Sequence, residues 1–183
     1  MGSSRTGMIL IGYQGIGKTT MCKKHKSCID LDSSLFKFDS TLRRDPRWYV
    51  TYCRYAVELA KQGYIVCVSS HSTVRNYLHE MRNSKETVES SHKSDQMNNY
   101  PLVGICTPSG NLQKVWIKKL RKRFKHDPSY KNYKAYLDAY NFYELKTDEL
   151  AKDRRFDFII TINEPSYNLY KFVKKMRKCL MVL

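Results

Sequence analysis

The chain has few acidic residues and no long apolar run. Asp and Glu number 17 against 33 Lys and Arg, which gives a formal net charge of +16 at pH 7. A positive field of this size attracts polyanions, so we expect anionic ligands that range from a nucleotide to a nucleic acid. Because no apolar stretch approaches the roughly 20 residues that cross a bilayer, the sequence predicts no membrane-spanning segment.

The cysteines show no pairing pattern. Six are scattered along the chain, none of them in a C-x-x-C pair, and no secretory leader is recognisable. Reduced thiols are the simplest interpretation of such spacing, and they are typical of proteins in a reducing compartment. We therefore expect a cytoplasmic protein with free cysteines.

Internal repeats and low-complexity segments are also missing. A length of 183 residues is enough for one substantial core and too short for two comfortable ones. The sequence therefore predicts a single domain over residues 1–183.

One stretch combines an apolar run with glycines and ends on lysine and threonine. Residues 8–20 read MILIGYQGIGKTT, which contains the pattern G-x-x-x-x-G-K-[ST] between a short buried strand and a helix. In such a loop, backbone N–H groups and the positive end of the helix bind phosphate oxygens. A turn made by the glycines alone would explain neither Lys18 nor Thr19. The predicted nucleotide-binding residues are Gly12, Gly15, Ile16, Gly17, Lys18, Thr19 and Thr20.

The last residues of the same pattern, Lys18 and Thr19, have predicted roles in binding phosphate and metal. The pattern predicts that Lys18 reaches the β- and γ-phosphates of ATP and that the Thr19 hydroxyl holds Mg²⁺. Two carboxylates, Asp30 and Asp32, follow at the end of the next predicted strand and share one face of it. Near a triphosphate, such a pair can organise metal-bound water and accept a proton from an attacking hydroxyl. The alternative is structural, with both side chains capping the next turn or pairing with an arginine.

Candidate acceptor residues lie farther along the chain. Arg43 and Arg44 can pair with phosphate, and Trp48 offers a stacking surface for a base. The open alternatives are a core position for Trp48 and a solvated surface for the arginines. His71 follows a buried strand whose carboxyl end faces the ligand in open α/β sheets. It is a candidate for contact with the acceptor, and a helix-entry role is equally open.

Apolar runs and helical patterns alternate along the chain. Strands are predicted over 8–12, 28–32, 64–68, 102–107 and 156–161. Helices are predicted over 19–26, 41–61, 72–81 with Ser72 as its cap, 112–126, 130–152 and 167–180, and the polar segment 82–99 is predicted as a mobile excursion or a loosely held helix. The alternation predicts a three-layer α/β fold, with a parallel sheet of about five strands and helices on both faces.

The phosphate loop and the element order resemble the small P-loop kinases, which include nucleoside and nucleotide kinases, shikimate kinase and gluconate kinase. The resemblance implies a P-loop NTPase fold with a basic helical lid at about 108–130. The D-x-D pair is similar to that of the shikimate-kinase branch, which implies that Asp30 lies near Mg²⁺ and Asp32 bonds the acceptor hydroxyl. It also implies that Arg121 and Arg123 close on the transferring phosphoryl group and that 163–165 borders the adenine.

The chain is also similar to short ATP-binding proteins of bacterial viruses, which share its Ile-Asp-Leu-Asp strand, Trp-Tyr helix and Val-Ser-Ser-His strand end. It has neither the D-G-x-P run of nucleoside monophosphate kinases nor the glycine triplet of shikimate kinases. We therefore expect an ATP- and Mg²⁺-dependent phosphotransferase whose acceptor is a nucleoside or a nucleoside monophosphate. Two alternatives stay open: a kinase acting on hydroxyls of a polynucleotide or of a modified base in DNA, and a regulatory protein that binds ATP without transfer.

Overall fold

A computed structural model describes residues 7–38, 41, 43–84 and 100–180. Five parallel strands form one sheet in the order β2-β3-β1-β4-β5. They are β1 Met8–Gly12, β2 Cys28–Asp30, β3 Ile65–Ser69, β4 Leu102–Pro108 and β5 Phe158–Ile162. The described helices are α1 Lys18–Lys24, α2 Trp48–Lys61, α3 Ser72–Asn83, α4 Gln113–His126, α5 Tyr130–Lys152 and α6 Leu169–Leu180.

The fold class predicted from the sequence is confirmed. The sheet is parallel and has five strands, and its order with a glycine-rich loop after β1 is consistent with a P-loop NTPase fold. The chain moves one way along the sheet from β1 to β2 and the other way from β2 onward. Right-handed crossovers therefore place α1 on one face and α2 and α3 on the other.

The central strands of the sheet are buried. All five residues of β1 are buried, and so are the first four of β3. Strands covered on both faces read as continuous apolar runs, which is why these segments were recognisable in the sequence. At one end of the sheet, the Tyr52 hydroxyl donates to the Leu31 carbonyl and accepts from the Ser69 N–H, both at 2.9 Å. Helix α2 is thereby fixed to the carboxyl ends of β2 and β3, where the candidate site lies.

Several element ends differ from their predicted positions, each for a local reason. Strand β2 stops at Asp30 because Asp32 caps a short 3-10 turn over Ser33–Phe36. Helix α2 begins at Trp48, so the basic residues of 43–47 precede it rather than form its first turns. Helix α6 begins at Leu169, where the Asn168 side chain accepts the Lys171 N–H at 3.1 Å.

The predicted cap of α3 was wrong. His71, not Ser72, is the N-cap residue, and its Nδ1 accepts the Thr73 N–H at 3.2 Å. An imidazole nitrogen can satisfy one of the orphan N–H groups of a helix start as a hydroxyl does. Helix α3 continues to Asn83, and residues 85–99 of the predicted excursion lie outside the described residues.

Arg75 joins α3 to α5 from a buried position. Its Nη1 lies 2.5 Å from the Asp153 carboxylate, and its Nη2 donates to Glu149. Arg155 contacts Asp153 from the other side, with its Nε 2.7 Å from that carboxylate. Burial opposes ionisation of Asp153, but the hydrogen bonds from Arg155 and Arg75 outweigh it and lower its pKa.

Candidate functional site

The loop between β1 and α1 has the backbone of a phosphate-binding turn. Gly15 and Gly17 have φ angles of 77° and 92°, a left-handed region that favours glycine. A Cβ on Gly15 would also lie 3.0 Å from Leu120 and 3.2 Å from the Trp116 Nε1. The left-handed backbone therefore favours glycine at both positions, and the close approach of α4 also requires it at Gly15.

Two aromatic side chains hold the carbonyl groups of the loop. The Trp116 Nε1 donates to the Gln14 carbonyl at 2.9 Å, and the Tyr167 hydroxyl donates to the Ile16 carbonyl at 2.8 Å. The N–H groups of Gly15 and Gly17, by contrast, donate to no other described residue. A loop with fixed carbonyls and unused N–H groups is suited to binding an anion.

Lys18 lies against the loop that it follows. Its Nζ donates to the carbonyl oxygens of Gly12 at 2.5 Å and Tyr13 at 3.4 Å. Desolvation lowers the pKa of this ammonium group, and the charge of Asp30 partly offsets that effect. Lys18 forms no ion pair within the described parts of the chain. A desolvated cation without an ionic partner is stabilised by an anion, and the phosphate loop provides the place for one.

Thr19 and Asp30 meet at the start of α1. The Thr19 hydroxyl donates to the Asp30 carboxylate, with an oxygen-to-oxygen distance of 2.5 Å. Mg²⁺ prefers oxygen ligands and is usually bound through one or two protein groups together with phosphates and water. No cluster of three or more His, Cys, Asp or Glu side chains occurs in the ranges that the structure describes. The Thr19 and Asp30 oxygens fit the open kind of magnesium site.

Asp32 is held in a different way. One carboxylate oxygen accepts the Ser34 N–H at 3.0 Å, and the other lies 2.5 Å from the Lys131 Nζ at the start of α5. Burial alone would raise the pKa of Asp32, but the hydrogen bonds from Lys131 and Ser34 outweigh it and keep that pKa below its usual range. The structural alternative, a cap and an ion pair, therefore describes Asp32 in this structure. Its partner is a lysine rather than an arginine.

A cleft of about 360 Å³ lies beside the phosphate loop, and we call it the donor cleft. It is bounded by α1, α4 and the segment before α6. At one wall the rings of His25 and Tyr170 stack with 3.6 Å between centroids, and Lys119 reaches over the Trp116 and Tyr167 rings. Its lining includes Ile16, Gly17, Thr20, Lys24, Lys119 and Pro165.

A second cleft, of about 290 Å³, lies at the carboxyl end of β3, and we call it the acceptor-side cleft. It is lined by Ser69, Ser70 and His71, at and just after the end of β3, and by Asp138 and Lys146 of α5. Desolvation lowers the pKa of His71, and so do the positive charges of Lys37, Lys134, Lys146 and Arg75. His71 therefore combines the predicted helix-entry role with a place on this cleft.

The structure places Trp48 apart from Arg43 and Arg44, which the sequence predicted as acceptor contacts together with it. Trp48 is buried and lies against Tyr52 and His71, with ring centroids 5.6 and 6.3 Å apart, so it packs in the core as one of the two alternatives proposed. Arg43 and Arg44 are exposed, and Arg44 forms an isolated antiparallel bridge with Phe38.

The basic helix α4 approaches the loop with its apolar residues. Leu120 and Trp116 are buried against Gly15, whereas Arg121 and Arg123 are exposed and form no ion pair with a described residue. Lys119, which lines the donor cleft, was missed by the sequence analysis. The only sequence signal was its position in the same run of basic residues. Lys131 was missed as well, because no pattern marks a lysine that pairs 99 positions away.

Comparisons with known proteins give no family. No protein-family model matches the chain, and no curated protein matches it. Among solved structures, it is similar to the SH3-kinase fragment of tight junction protein 3 (TJP3) in apo-form, with a TM-score of 0.45 and 12% sequence identity. That similarity covers 97% of this chain, which spans 58% of the TJP3 fragment. A likeness of this degree is no guide to activity.

Proposed function

We propose that this protein is an ATP- and Mg²⁺-dependent phosphotransferase, and that the γ-phosphate passes to a nucleoside or a nucleoside monophosphate. The observation that carries the proposal is the 2.5 Å contact between Thr19 and Asp30 at the foot of a loop containing a desolvated Lys18. A glycine turn alone needs neither the contact nor the lysine. A loop that receives a triphosphate uses both.

The residues divide the task of holding ATP. The N–H groups of Gly15 and Gly17 and the Lys18 ammonium bind the phosphates, while the base enters the donor cleft between Thr20 and the 163–165 segment. Thr19 and Asp30 hold Mg²⁺, which neutralises charge on the β- and γ-phosphates when bound. Phosphoryl transfer needs little covalent chemistry from the protein, so positioning and electrostatics supply most of the rate.

Asp32 is the proposed acceptor contact, because it follows Asp30 and lies next to α5, which borders the acceptor-side cleft. In this role, the ion pair between Lys131 and Asp32 must break when the acceptor hydroxyl binds. Arg43, Arg44 and His71 are the proposed further acceptor contacts. We retain Trp48 only as a buried support for His71.

We further propose that residues 108–130 act as a lid and that 1–183 functions as one kinase domain. Helix α4 lies within the lid and already contacts the loop through Trp116. In the proposed closure, α4 moves so that Arg121 and Arg123, which are exposed in this structure, face the phosphate loop. Such closure excludes water from the phosphates, as lids in general do.

A polynucleotide is the second candidate acceptor. The observation that favours it is the net charge of +16, which exceeds what a nucleotide requires. In that case the attacking group is a hydroxyl of the chain end or of a modified base, and the donor site is unchanged. A protein that only binds ATP is the remaining possibility, and it fits the ion pair that occupies Asp32.

The test is label transfer from γ-labelled ATP in the presence of Mg²⁺. The acceptors are a panel of nucleosides, nucleoside monophosphates, small polyols, single-stranded DNA and duplex DNA. We expect label on a nucleoside or a nucleoside monophosphate. Label on DNA alone would move the assignment to the second candidate, and ATP binding without transfer to any member of the panel would contradict the proposed activity.

A further inference from the structure

Three helices contain many basic residues and not one Asp or Glu. Helix α1 has three Lys, α4 has seven Lys and Arg, and α6 has five. The remainder of the chain contains nearly equal numbers of basic and acidic residues. The excess charge of the protein is therefore concentrated on a small part of its sequence.

These helices adjoin one another around the donor cleft. His25, at the end of α1, stacks on Tyr170 in α6, and the Trp116 ring of α4 lies 6.3 Å from and nearly parallel to that of Tyr167. Lys24 and Lys119 both line the cleft between them. The basic residues that are segregated in the sequence therefore lie on helices around one cleft, and we call the exposed sides of these three helices the basic face.

Most charges of the basic face are exposed. No residue of α4 takes part in an ion pair with any of the described residues, and the described ion pairs involve basic residues of other elements. The exposed cations of α4 and α6 include Lys114, Lys118, Lys119, Arg121, Lys122, Arg123, Lys125, Lys171, Lys174, Lys175 and Lys178. Mutual repulsion within such a set is relieved by a polyanion.

We propose that the basic face binds the phosphate backbone of double-stranded DNA. Helix α4 has 14 residues and is therefore about 21 Å long, and a duplex presents one charge per about 1.7 Å of its axis. About a dozen phosphates thus accompany the length of α4, enough to give each of its seven cations a phosphate partner. The binding is independent of base sequence because it involves the backbone alone.

The composition of the face favours a duplex over a single strand. Proteins that bind single strands combine basic grooves with exposed aromatic rings on which bases stack. Among the large apolar side chains exposed on α1, α4 and α6, Phe172 is the single aromatic ring, and Val115 is the other member. A surface with many cations and few exposed rings suits a backbone whose bases are already paired.

The same face is poorly suited to a membrane surface. A helix that lies on a bilayer buries its apolar residues among the lipids. In α6 the apolar residues Leu169 and Val173 are buried within the protein, with 5% and 0% exposure. The outward side of the helix has four exposed lysines and one exposed large apolar side chain, Phe172.

The test is the affinity for a short fluorescent DNA duplex, measured by anisotropy over a range of salt concentrations and without ATP. Omitting ATP keeps the result separate from the proposed phosphotransfer. The variants are Lys118→Gln with Lys122→Gln on α4 and Lys171→Gln with Lys175→Gln on α6. The matched control removes two exposed cations elsewhere, Arg54→Gln with Arg154→Gln.

We expect duplex binding that weakens steeply with salt. Each double variant should weaken it severalfold and reduce the slope of log affinity against log salt by about two, while the control keeps the slope of the unmodified protein. An equal loss in the control, or no duplex binding at low salt, would overturn the proposal. So would binding to a single strand without duplex binding, or to vesicles of anionic lipid without DNA binding.

Discussion

Asp32 and Lys131 form an ion pair that no local pattern in the sequence indicates. Because Lys131 supplies the strongest favourable contact to the Asp32 carboxylate, Lys131→Met should raise the pKa of Asp32 toward that of an ordinary aspartate. Carboxyl-carbon NMR titration measures this shift directly. Lys134→Met, which removes a lysine one turn away, is the control and should leave the Asp32 pKa nearly unchanged. A normal Asp32 pKa in the unmodified protein would contradict the ion pair.

His71 should make stability depend on pH. Burial and nearby positive charges hold the folded-state pKa of His71 below its usual value of 6.5, so the unfolded chain binds the proton more readily. The His71 contribution is complete above pH 6.5 and is lost as the pH falls through the folded-state pKa. Urea unfolding at pH 7.5 and at about pH 5 should show this loss.

The replacement His71→Asn separates the cap from the titration. Asparagine is a good N-cap residue and does not titrate, so the variant should retain stability at pH 7.5 and lose less on acidification. A pH dependence identical to that of the unmodified protein would assign the effect to other groups.

Gly15 is the residue for which both backbone and space require glycine. Gly15→Ala introduces a Cβ at φ +77° that meets Leu120 and Trp116, both of which are buried. We expect a loss of about 1–3 kcal/mol in the free energy of unfolding. Gly110→Ala is the control, because a Cβ there meets nothing within 4 Å. Equal effects of the two substitutions in urea denaturation would contradict this account of the loop.

Between helices, the buried Arg75 contact links α3 to α5. Arg75→Met leaves Asp153 buried without one of its cationic partners, so the free energy of unfolding should fall by about 3–5 kcal/mol. Lys152→Met breaks an exposed ion pair with Asp148 and should change it by less than about 1 kcal/mol. Urea denaturation of both variants checks the ranking. A similar small loss for both would show that Arg75 adds little to the packing of α3 on α5.

At the level of helices and strands, the sequence was sufficient for most of the fold. The buried parallel strands appear as unbroken apolar runs. The helix predicted over 130–152 has the bounds of α5, but Phe142 interrupts it with non-helical backbone angles (φ −134°, ψ 22°), a kink that the sequence did not indicate. The ends of α2 and α6 were misplaced because side chains of Asp45 and Asn168 bind backbone N–H groups there. Such capping depends on local geometry that a periodic pattern does not contain.

Part of the candidate site was also predictable from the sequence. Local spacing brought out the loop, Lys18 and Thr19, and strand geometry placed Asp30 near them. Lys131 and Lys119 come to their positions through the packing of distant helices, so no spacing could indicate them. The roles given to Arg121 and Arg123 stay predictions, since both lie on the exposed side of α4 in this structure.

In the molecule as a whole, most of the excess positive charge lies apart from the two carboxylates of the candidate site. The basic face lies around the donor cleft, while Asp30 and Asp32 lie beyond the phosphate loop at the end of β2. None of the helices described in residues 7–38, 43–84 and 100–180 has the length and apolar character needed to cross a bilayer. The DNA test omits ATP and changes residues that line neither cleft, so the proposed DNA surface can be tested separately from the proposed function on the same protein.

The most direct test of the phosphate-loop account compares two lysine variants in the label-transfer reaction. Lys18→Ala removes the cation that binds the transferring phosphates, and Lys23→Ala removes an exposed lysine from the same helix that does not line the donor cleft. We predict that the transfer rate falls by about 10²–10³-fold with Lys18→Ala and stays within a few-fold of the unmodified protein with Lys23→Ala. Normal turnover by a folded Lys18→Ala protein would contradict it.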